Sequence, residues 1–341
     1  MLTIAHLIDD AAVGGINRAL KDQTEVLQQS FAITQLFLNP RHPMPPQVGQ
    51  DVAIVHFTPS WSKLPFLTLL RAQRANRPLI FVEHTYTRAF ERHCVPNVGR
   101  FRAMLRLSYR LADKVVAVSH AQAEWMRSEE LVARDKLVVI QQCLNYAPLL
   151  NIPLPLRRAD TPLRLAAYGR YCRQKGFDTL IEAMRRLPPK LATLTLAGYG
   201  PDQPLLKNAS VGMDNVCVGP PISDLRHFLA EHDIVVMPSR WEAFGLVCLE
   251  ARAAGRPVLV ADVDGLVEQV TPALGGIVSG DDPDLLAAAV RDAVNWNLAA
   301  MGAKARSSVE AHQSRYSASY TNLWNRIAAN TSTNNSQMYA G

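Results

Sequence analysis

The sequence predicts an α/β protein of two doubly wound, Rossmann-like domains. Three observations carry this. Short apolar runs alternate with helix-length segments along the whole chain. Several runs are apolar on both faces, as strands of a parallel sheet must be when helices cover each side. The alternation also restarts after a proline-rich break, so the pattern is given twice.

In the first half the strand-like runs are 2–8, 32–38, 51–57, 78–83, 114–119 and 136–141, with amphipathic stretches such as 16–29 and 122–129 between them. Residues 146–162 contain Pro148, Pro153, Pro155 and Pro162 with little periodicity and read as a linker. Strand-like runs follow at 163–168, 193–197, 216–218, 234–238, 257–261 and 276–278, separated by helical segments at 177–187, 223–231, 244–254 and 283–296. The expected division is a first domain over 1–150 and a second over 151–329, its last helix crossing back to the first. A polar, frayed tail is expected over 330–341.

The bulk properties agree with two ordinary cores. The chain has 341 residues, 48% apolar and 19% charged. No apolar run reaches the ~18 residues needed to span a bilayer. The first eight residues, followed by Asp9 and Asp10, lack the basic start and long apolar stretch of a signal peptide. Five scattered cysteines without a Cys-x-x-Cys fit a reduced, cytoplasmic setting better than disulfides or a zinc site. The net charge of +6 is uneven: residues 1–150 carry 17 Lys/Arg against 12 Asp/Glu, and the remainder carries 19 against 18. The first half is therefore either a solvated basic surface or a face for an anionic partner, such as the inner surface of a membrane. Arg102, Arg106 and Arg110, spaced four apart beside Phe101, Met104, Leu105, Leu107 and Leu111, and the stretch from Trp61 to Leu67 with Arg71 and Arg74, have the mixed basic and apolar character that suits such a surface. No nucleic-acid partner is expected.

Four segments carry chemistry. The first is Pro238-Ser239-Arg240-Trp241-Glu242-Ala243-Phe244-Gly245-Leu246-Val247-Cys248-Leu249-Glu250. A strand ends at Met237 and a helix is expected from about Phe244, which puts Glu242 in the loop and Glu250 two turns inside. A helix N-terminus at the carboxyl edge of a parallel sheet is an anion site. Gly245 permits close approach to the backbone, and carboxylates beside it accept hydrogen bonds from hydroxyl-rich groups. The second is Gly169-Arg170-Tyr171-Cys172-Arg173-Gln174-Lys175-Gly176, which follows the strand at 163–168; Arg170 and Lys175 there would neutralise a diphosphate. Either segment also fits an ordinary solvated surface. The third is Val13-Gly14-Gly15-Ile16-Asn17, a glycine-rich turn that is not Gly-x-Gly-x-x-Gly and does not support a dinucleotide cofactor. The fourth is Glu83-His84-Thr85-Tyr86 at a strand end, where His84 would enter a cleft or serve the core; His56, closing the preceding strand, is the competing histidine.

In this order the segments resemble the retaining family-4 glycosyltransferases of the GT-B fold (glycosyl transferases group 1), whose two Rossmann-like domains face each other across a cleft. Thr195-Leu196-Ala197-Gly198-Tyr199-Gly200-Pro201, residues 216–220, Gly255-Arg256-Pro257-Val258 and Asp264-Gly265-Leu266-Val267-Glu268 look like successive blocks of that family. Ala112-Asp113-Lys114-Val115-Val116-Ala117-Val118-Ser119 looks like their counterpart in the first domain. The resemblance spans roughly residues 2–325. It implies that Arg170 and Lys175 hold the donor diphosphate, that Glu250 bonds the ribose and that Glu242 bonds the transferred sugar. Backbone N–H groups of Phe244, Gly245 and Leu246 would line that sugar and the β-phosphate. Gly14 and Gly15 would close over the donor, and His84 would contact the transferred sugar.

The implied activity moves a hexosyl-type sugar from a UDP- or GDP-sugar to a hydroxyl of a saccharide or lipid-linked saccharide, with retention and without a metal. Surface-polysaccharide or lipid-linked oligosaccharide synthesis would be its setting. The chain departs from the family most between Leu38 and Val52, where acceptor loops are expected to be short. Asp262-Val263-Asp264 mimics the metal motif of a different glycosyltransferase fold and reads as coincidence. The competing readings are a nucleotide-sugar epimerase, a phosphorylase, a silent binding protein on the same fold and a dehydrogenase. The set Arg170, Lys175, Glu242 and Glu250 argues against silence, and the glycine turns argue against a dehydrogenase.

Overall fold

The computed structural model describes residues 2–9, 20–21, 24, 27, 31–157, 160–278, 281–310 and 312–338, with side chains as far as residue 327. Gly14, Gly15 and most of the helix expected over 16–29 lie outside the described residues.

All twelve expected strands form. The first six are β1 (Thr3–Ile8), β2 (Ala32–Phe37), β3 (Val52–Val55), β4 (Leu79–Glu83), β5 (Lys114–Ala117) and β6 (Leu137–Val139). They pair in parallel in the order β2-β1-β3-β4-β5-β6. The next six are β7 (Leu163–Arg170), β8 (Ala192–Tyr199), β9 (Val216–Gly219), β10 (Ile234–Met237), β11 (Val258–Ala261) and β12 (Gly275–Val278). They form a second parallel sheet, β12-β11-β10-β7-β8-β9. Val52–Val55, Leu79–Glu83, Ile234–Met237 and Val258–Ala261 are buried along their whole length, the mark of strands covered on both faces.

Helices fill the intervals: α1 (Leu64–Gln73), α2 (Arg88–Cys94), α3 (Val98–Arg110) and α4 (His120–Ser128) in the first half. In the second half come α5 (Phe177–Arg185), α6 (Gln203–Ala209), α7 (Leu225–Ala230), α8 (Leu246–Ala253), α9 (Pro283–Ala293) and α10 (Leu298–Ser307), then α11 (His312–Met338). Short polar side chains start many of them: Thr87, Asn97, Ser119, Asp224, Asp282 and Asn297 each accept a first-turn N–H. The backbone of α11 continues to Met338, through most of the tail expected to be frayed.

The chain divides into two compact units, Met1–Leu144 with Gln313–Gly341, and Asn145–His312. The first core gathers Phe66, Leu70, Phe81, Leu105, Tyr109, Val115 and Trp125. The second gathers Leu165, Tyr171, Phe177, Ile181, Met184, Leu196 and Val236.

One buried cation holds the segment between β2 and β3. Arg74, which caps α1, is 2% exposed, and its guanidinium donates to the carbonyls of Val48 (2.7 Å), Gln50 (3.0 Å), Asp51 (3.2 Å) and Pro78 (3.3 Å). Burial lowers its pKa to about 10, which leaves it charged at neutral pH. Arg74→Met would strand several buried carbonyls and should lower the unfolding free energy by about 3 kcal/mol. Urea unfolding measures this; an unchanged midpoint would contradict the role, and Arg74→Lys should recover only part because an ammonium cannot span four acceptors.

Candidate functional site

The second sheet reverses direction beside β7. β8 and β9 lie on one side of it, and β10, β11 and β12 on the other. In such sheets the carboxyl ends of the two strands at the reversal open a crevice for ligands. The two strongest sequence features fall on those two ends: the Arg170–Lys175 loop follows β7, and the loop carrying Glu242 follows β10.

The two loops pack as one block. Arg170, at the end of β7, is exposed. A 3-10 turn, Arg173–Lys175, leads to Gly176 and into α5. Gly176 has φ +63°, and a Cβ there would lie 2.1 Å from the Pro238 carbonyl oxygen, so only glycine lets the loops approach this closely. Backbone N–H of Arg240 donates to Gln174 O (2.8 Å), and Gln174 Nε2 donates to Trp241 O (3.0 Å). The Arg240 guanidinium forks onto Asp178 (2.9 and 2.8 Å), reaches Asp281 (2.5 Å) and also donates to Thr179 and to Arg173 O. The Asp178 carboxyl is held below its usual range by Arg240, against the opposing effect of burial.

This block sets Lys175 against Glu242. Lys175 Nζ lies 2.5 Å from Glu242 Oε2, with side-chain exposures of 17% and 13%. Ser239 Oγ donates to the same oxygen at 3.3 Å, and Glu242 N–H donates to Asp264 Oδ2 at 3.1 Å. Asp264 of the Asp-x-Asp triplet is thus turned onto the site's own backbone. Among the described residues no three His, Cys, Asp or Glu side chains are grouped to hold a metal ion.

The helix after this loop begins at Leu246, two residues later than the sequence suggests, because Gly245 takes φ +93° as its N-cap. A Cβ at Gly245 would meet Leu266 Cδ2 at 2.4 Å. Phe244 therefore belongs to the turn: its ring is buried and its carbonyl accepts from Gln269 Nε2 at 2.5 Å. No side chain caps α8, so its N-terminal dipole sits uncapped by side chains at the sheet's carboxyl edge. Glu250 lies in the second turn, 3% exposed, with one oxygen accepting from the Tyr168 hydroxyl at 2.8 Å. Tyr168 comes from β7 and Lys175 from the loop after it, so both carboxylates are tied to that strand or its loop.

In the first unit the sheet reverses beside β1, and His84 follows β4 at the same carboxyl edge. His84 is half-buried; its Nε2 lies 2.9 Å from His56 Nδ1 and its Nδ1 lies 2.7 Å from Gln142 Nε2. His56 Nε2 lies 2.7 Å from His6 Nδ1. Burial drives the His6 and His84 pKa values down to about 4 and that of His56 well below its usual value, assisted at His56 and His84 by the neighbouring imidazoles. His84 and His56, rivals in the sequence, are members of one chain. His6 and Gln142 were not singled out from sequence. The available signal was a histidine in or just after each of three strands that prove to be neighbours.

The basic stripe of α3 is partly internal. Arg102 pairs with Glu91 and Glu129, and Arg106 donates to the carbonyls of Glu129 and Glu130. Met104 and Leu105 are buried, as are Phe66 and Leu67 of the other stretch, where Arg71 pairs with Asp113 and Arg74 is enclosed. Arg110 stays exposed beside Arg127, Arg134 and Lys136 in an open basic concavity of about 410 Å³. Among the described residues no helix is long and apolar enough to cross a membrane.

The Gly176 contact gives a direct check on the block. Gly176→Ala places a methyl group against the Pro238 carbonyl and forces a left-handed alanine. It should cost about 2 kcal/mol or more in urea unfolding. A variant as stable as the parent would show that the two loops are not locked together.

Comparison with known proteins bears on what this site belongs to. Residues 162–295 match the model of the glycosyl transferases group 1, and residues 38–147 match that of glycosyltransferase family 4. A D-inositol 3-phosphate glycosyltransferase of Xylanimonas cellulosilytica is 35% identical over 268 residues, 70% of this chain and 64% of that protein. An uncharacterised glycosyltransferase of Methanocaldococcus jannaschii is 32% identical over 201 residues, 54% of this chain and 52% of that protein. The matched stretches thus span between half and two thirds of these relatives' length. The crystal structure of HepE from Anabaena, in complex with UDP and glucose, superposes with a TM-score of 0.74 at 17% identity, covering 95% of this chain and 100% of that one. With two parallel six-stranded sheets of the GT-B kind and a family model matched in each half, the chain belongs to the group 1 and family 4 glycosyltransferases.

Proposed function

We propose that the chain is a retaining, metal-independent glycosyltransferase that moves a hexosyl-type sugar from a UDP- or GDP-sugar to a hydroxyl acceptor. The observation that carries this reading is the set of side chains at the reversal of the second sheet. Arg170 ends β7, Lys175 stands in the loop after it, Glu242 follows β10 and Glu250 lies in α8, around an N-terminus that no side chain caps.

Cleavage of a sugar–phosphate bond leaves negative charge on a nucleoside diphosphate. Two cations and a helix N-terminus are the groups that stabilise such charge without a metal. The Lys175–Glu242 pair has a second consequence. A diphosphate that draws Lys175 to itself weakens the hold on Glu242, whose carboxylate then accepts hydroxyls of the transferred sugar. Glu250, steadied by Tyr168, suits the ribose. The leaving phosphate oxygen would take the acceptor proton on the same face, so the scheme asks for no enzyme nucleophile. Gly14, Gly15 and His84 enter on the family resemblance.

The acceptor is proposed to be a saccharide or lipid-linked saccharide in surface-polysaccharide or lipid-linked oligosaccharide synthesis, at the cytoplasmic side of a membrane. The basic concavity at Arg110, Arg127, Arg134 and Lys136 is the part of the first unit that suits an anionic membrane surface.

A thermal-shift screen of nucleoside diphosphates and their sugars tests the reading. The true donor at ~100 times its Kd should add about 2.7 kcal/mol of stability, and transfer from it should survive EDTA. If no nucleotide sugar shifts the transition, or if activity is lost in EDTA and restored by Mn²⁺ or Mg²⁺, the proposal is wrong.

A further inference from the structure

The histidines of the first unit form a chain with a direction. His6 lies in β1, His56 follows β3 and His84 follows β4, three neighbouring strands at one carboxyl edge. The ring planes are close to parallel, with 7° between His6 and His56 and 27° between His56 and His84. His6, His56 and Gln142 are buried and His84 is half-buried.

A neutral imidazole has one N–H and one acceptor nitrogen, so the end of such a chain sets every proton in it. The Gln142 amide nitrogen donates to His84 Nδ1. His84 then carries its proton on Nε2 and donates to His56 Nδ1. His56 in turn carries its proton on Nε2 and donates to His6 Nδ1. The chain ends at His6 Nε2, a buried nitrogen with no hydrogen-bond partner among the described residues. The neighbours that act on His56 are His6 and His84, and on His84, His6. Charged groups of the neighbouring segments have partners of their own. Glu83 accepts from Thr85 N, Tyr86 N and the Tyr109 hydroxyl, and Lys63 pairs with Asp9.

We propose that the hydrogen-bond chain through His56 and His6, its direction given by the Gln142 amide, holds His84 as the uncharged Nε2–H tautomer, with His56 and His6 as positioning residues; the His84 Nδ1 is an acceptor that the amide covers until a ligand hydroxyl replaces it. His84 therefore offers the transferred sugar a neutral hydrogen-bond acceptor and does not act as a general acid. This rests on the reading that His84 meets that sugar. It adds that two residues remote from the ligand hold His84 in the form it presents.

The test uses the full chain labelled with ¹⁵N-histidine and long-range ¹H–¹⁵N spectra between pH 5.5 and 8. The parent should show His84 as one neutral tautomer, protonated at Nε2, across that range. His56→Phe removes the acceptor for His84 Nε2–H. His84 should then show mixed tautomers, because its Nε2–H has lost its acceptor, while burial keeps it uncharged across the range, and kcat/KM for the donor should fall with the Nδ1-acceptor population. His56→Gln, which both accepts and donates, should restore the parent spectrum and kcat/KM. A parent His84 that is protonated at Nδ1, or already mixed, overturns the proposal, as does His56→Phe with an unchanged spectrum. If His56→Phe does not fold, the parent spectrum alone decides. The spectra need no donor, so a locked His84 in a protein that binds no nucleotide sugar would contradict the proposed function and leave the chain standing.

Discussion

The contact between Lys175 and Glu242 organises the second unit. A salt bridge at partial exposure stabilises a fold only modestly, so its importance here is geometric. It joins the loop after β7 to the loop after β10, the two strand ends between which the sheet reverses. Everything around it serves that join. Gly176 gives up a side chain so that its backbone can lie against Pro238. Arg240 binds Asp178 and Asp281 from the other side, and Asp264 holds the Glu242 backbone. The loops between strands and helices are thus as determined as the strands themselves.

The two units solve different electrostatic problems. At the second sheet's edge, opposite charges and a helix N-terminus are kept partly open to water, a preorganised setting for an anion. At the first sheet's edge, three imidazoles are kept neutral by burial and by each other. One edge is arranged to meet charge, and the other to present hydrogen-bonding nitrogens that do not change charge near neutral pH.

The fold was legible in the sequence because its signal is local. Each strand is a short apolar run, and each run differs in period from the helices beside it. The placement of the candidate residues was legible for a related reason: Arg170 ends one marked strand, Lys175 and Glu242 stand in the loops after two of them, and Glu250 lies in the helix that follows. The start of α8 was misplaced by two residues because Phe244 is apolar and helix-like in pattern, while the left-handed turn that delays the helix is encoded only by Gly245. The Arg102 and Arg106 stripe had the right spacing for an exposed face. Its internal partners, Glu91, Glu129 and the Glu130 carbonyl, come from other segments and leave no mark at that spacing. The pairing of His6 with His56 depends on β1 lying beside β3, a fact of topology that no local pattern contains.

The central claim is that Arg170 and Lys175 stabilise charge on a departing diphosphate. The most direct measurement is kcat for Arg170→Ala, Arg170→Lys and Lys175→Ala, each with its melting temperature. The account expects both alanine variants to lose ~10²–10³ in kcat. Arg170→Ala should melt as the parent does because that side chain is exposed, and Arg170→Lys should recover only part because a point charge does not reproduce a forked contact. Near-parental turnover in both alanine variants would mean that the diphosphate binds elsewhere.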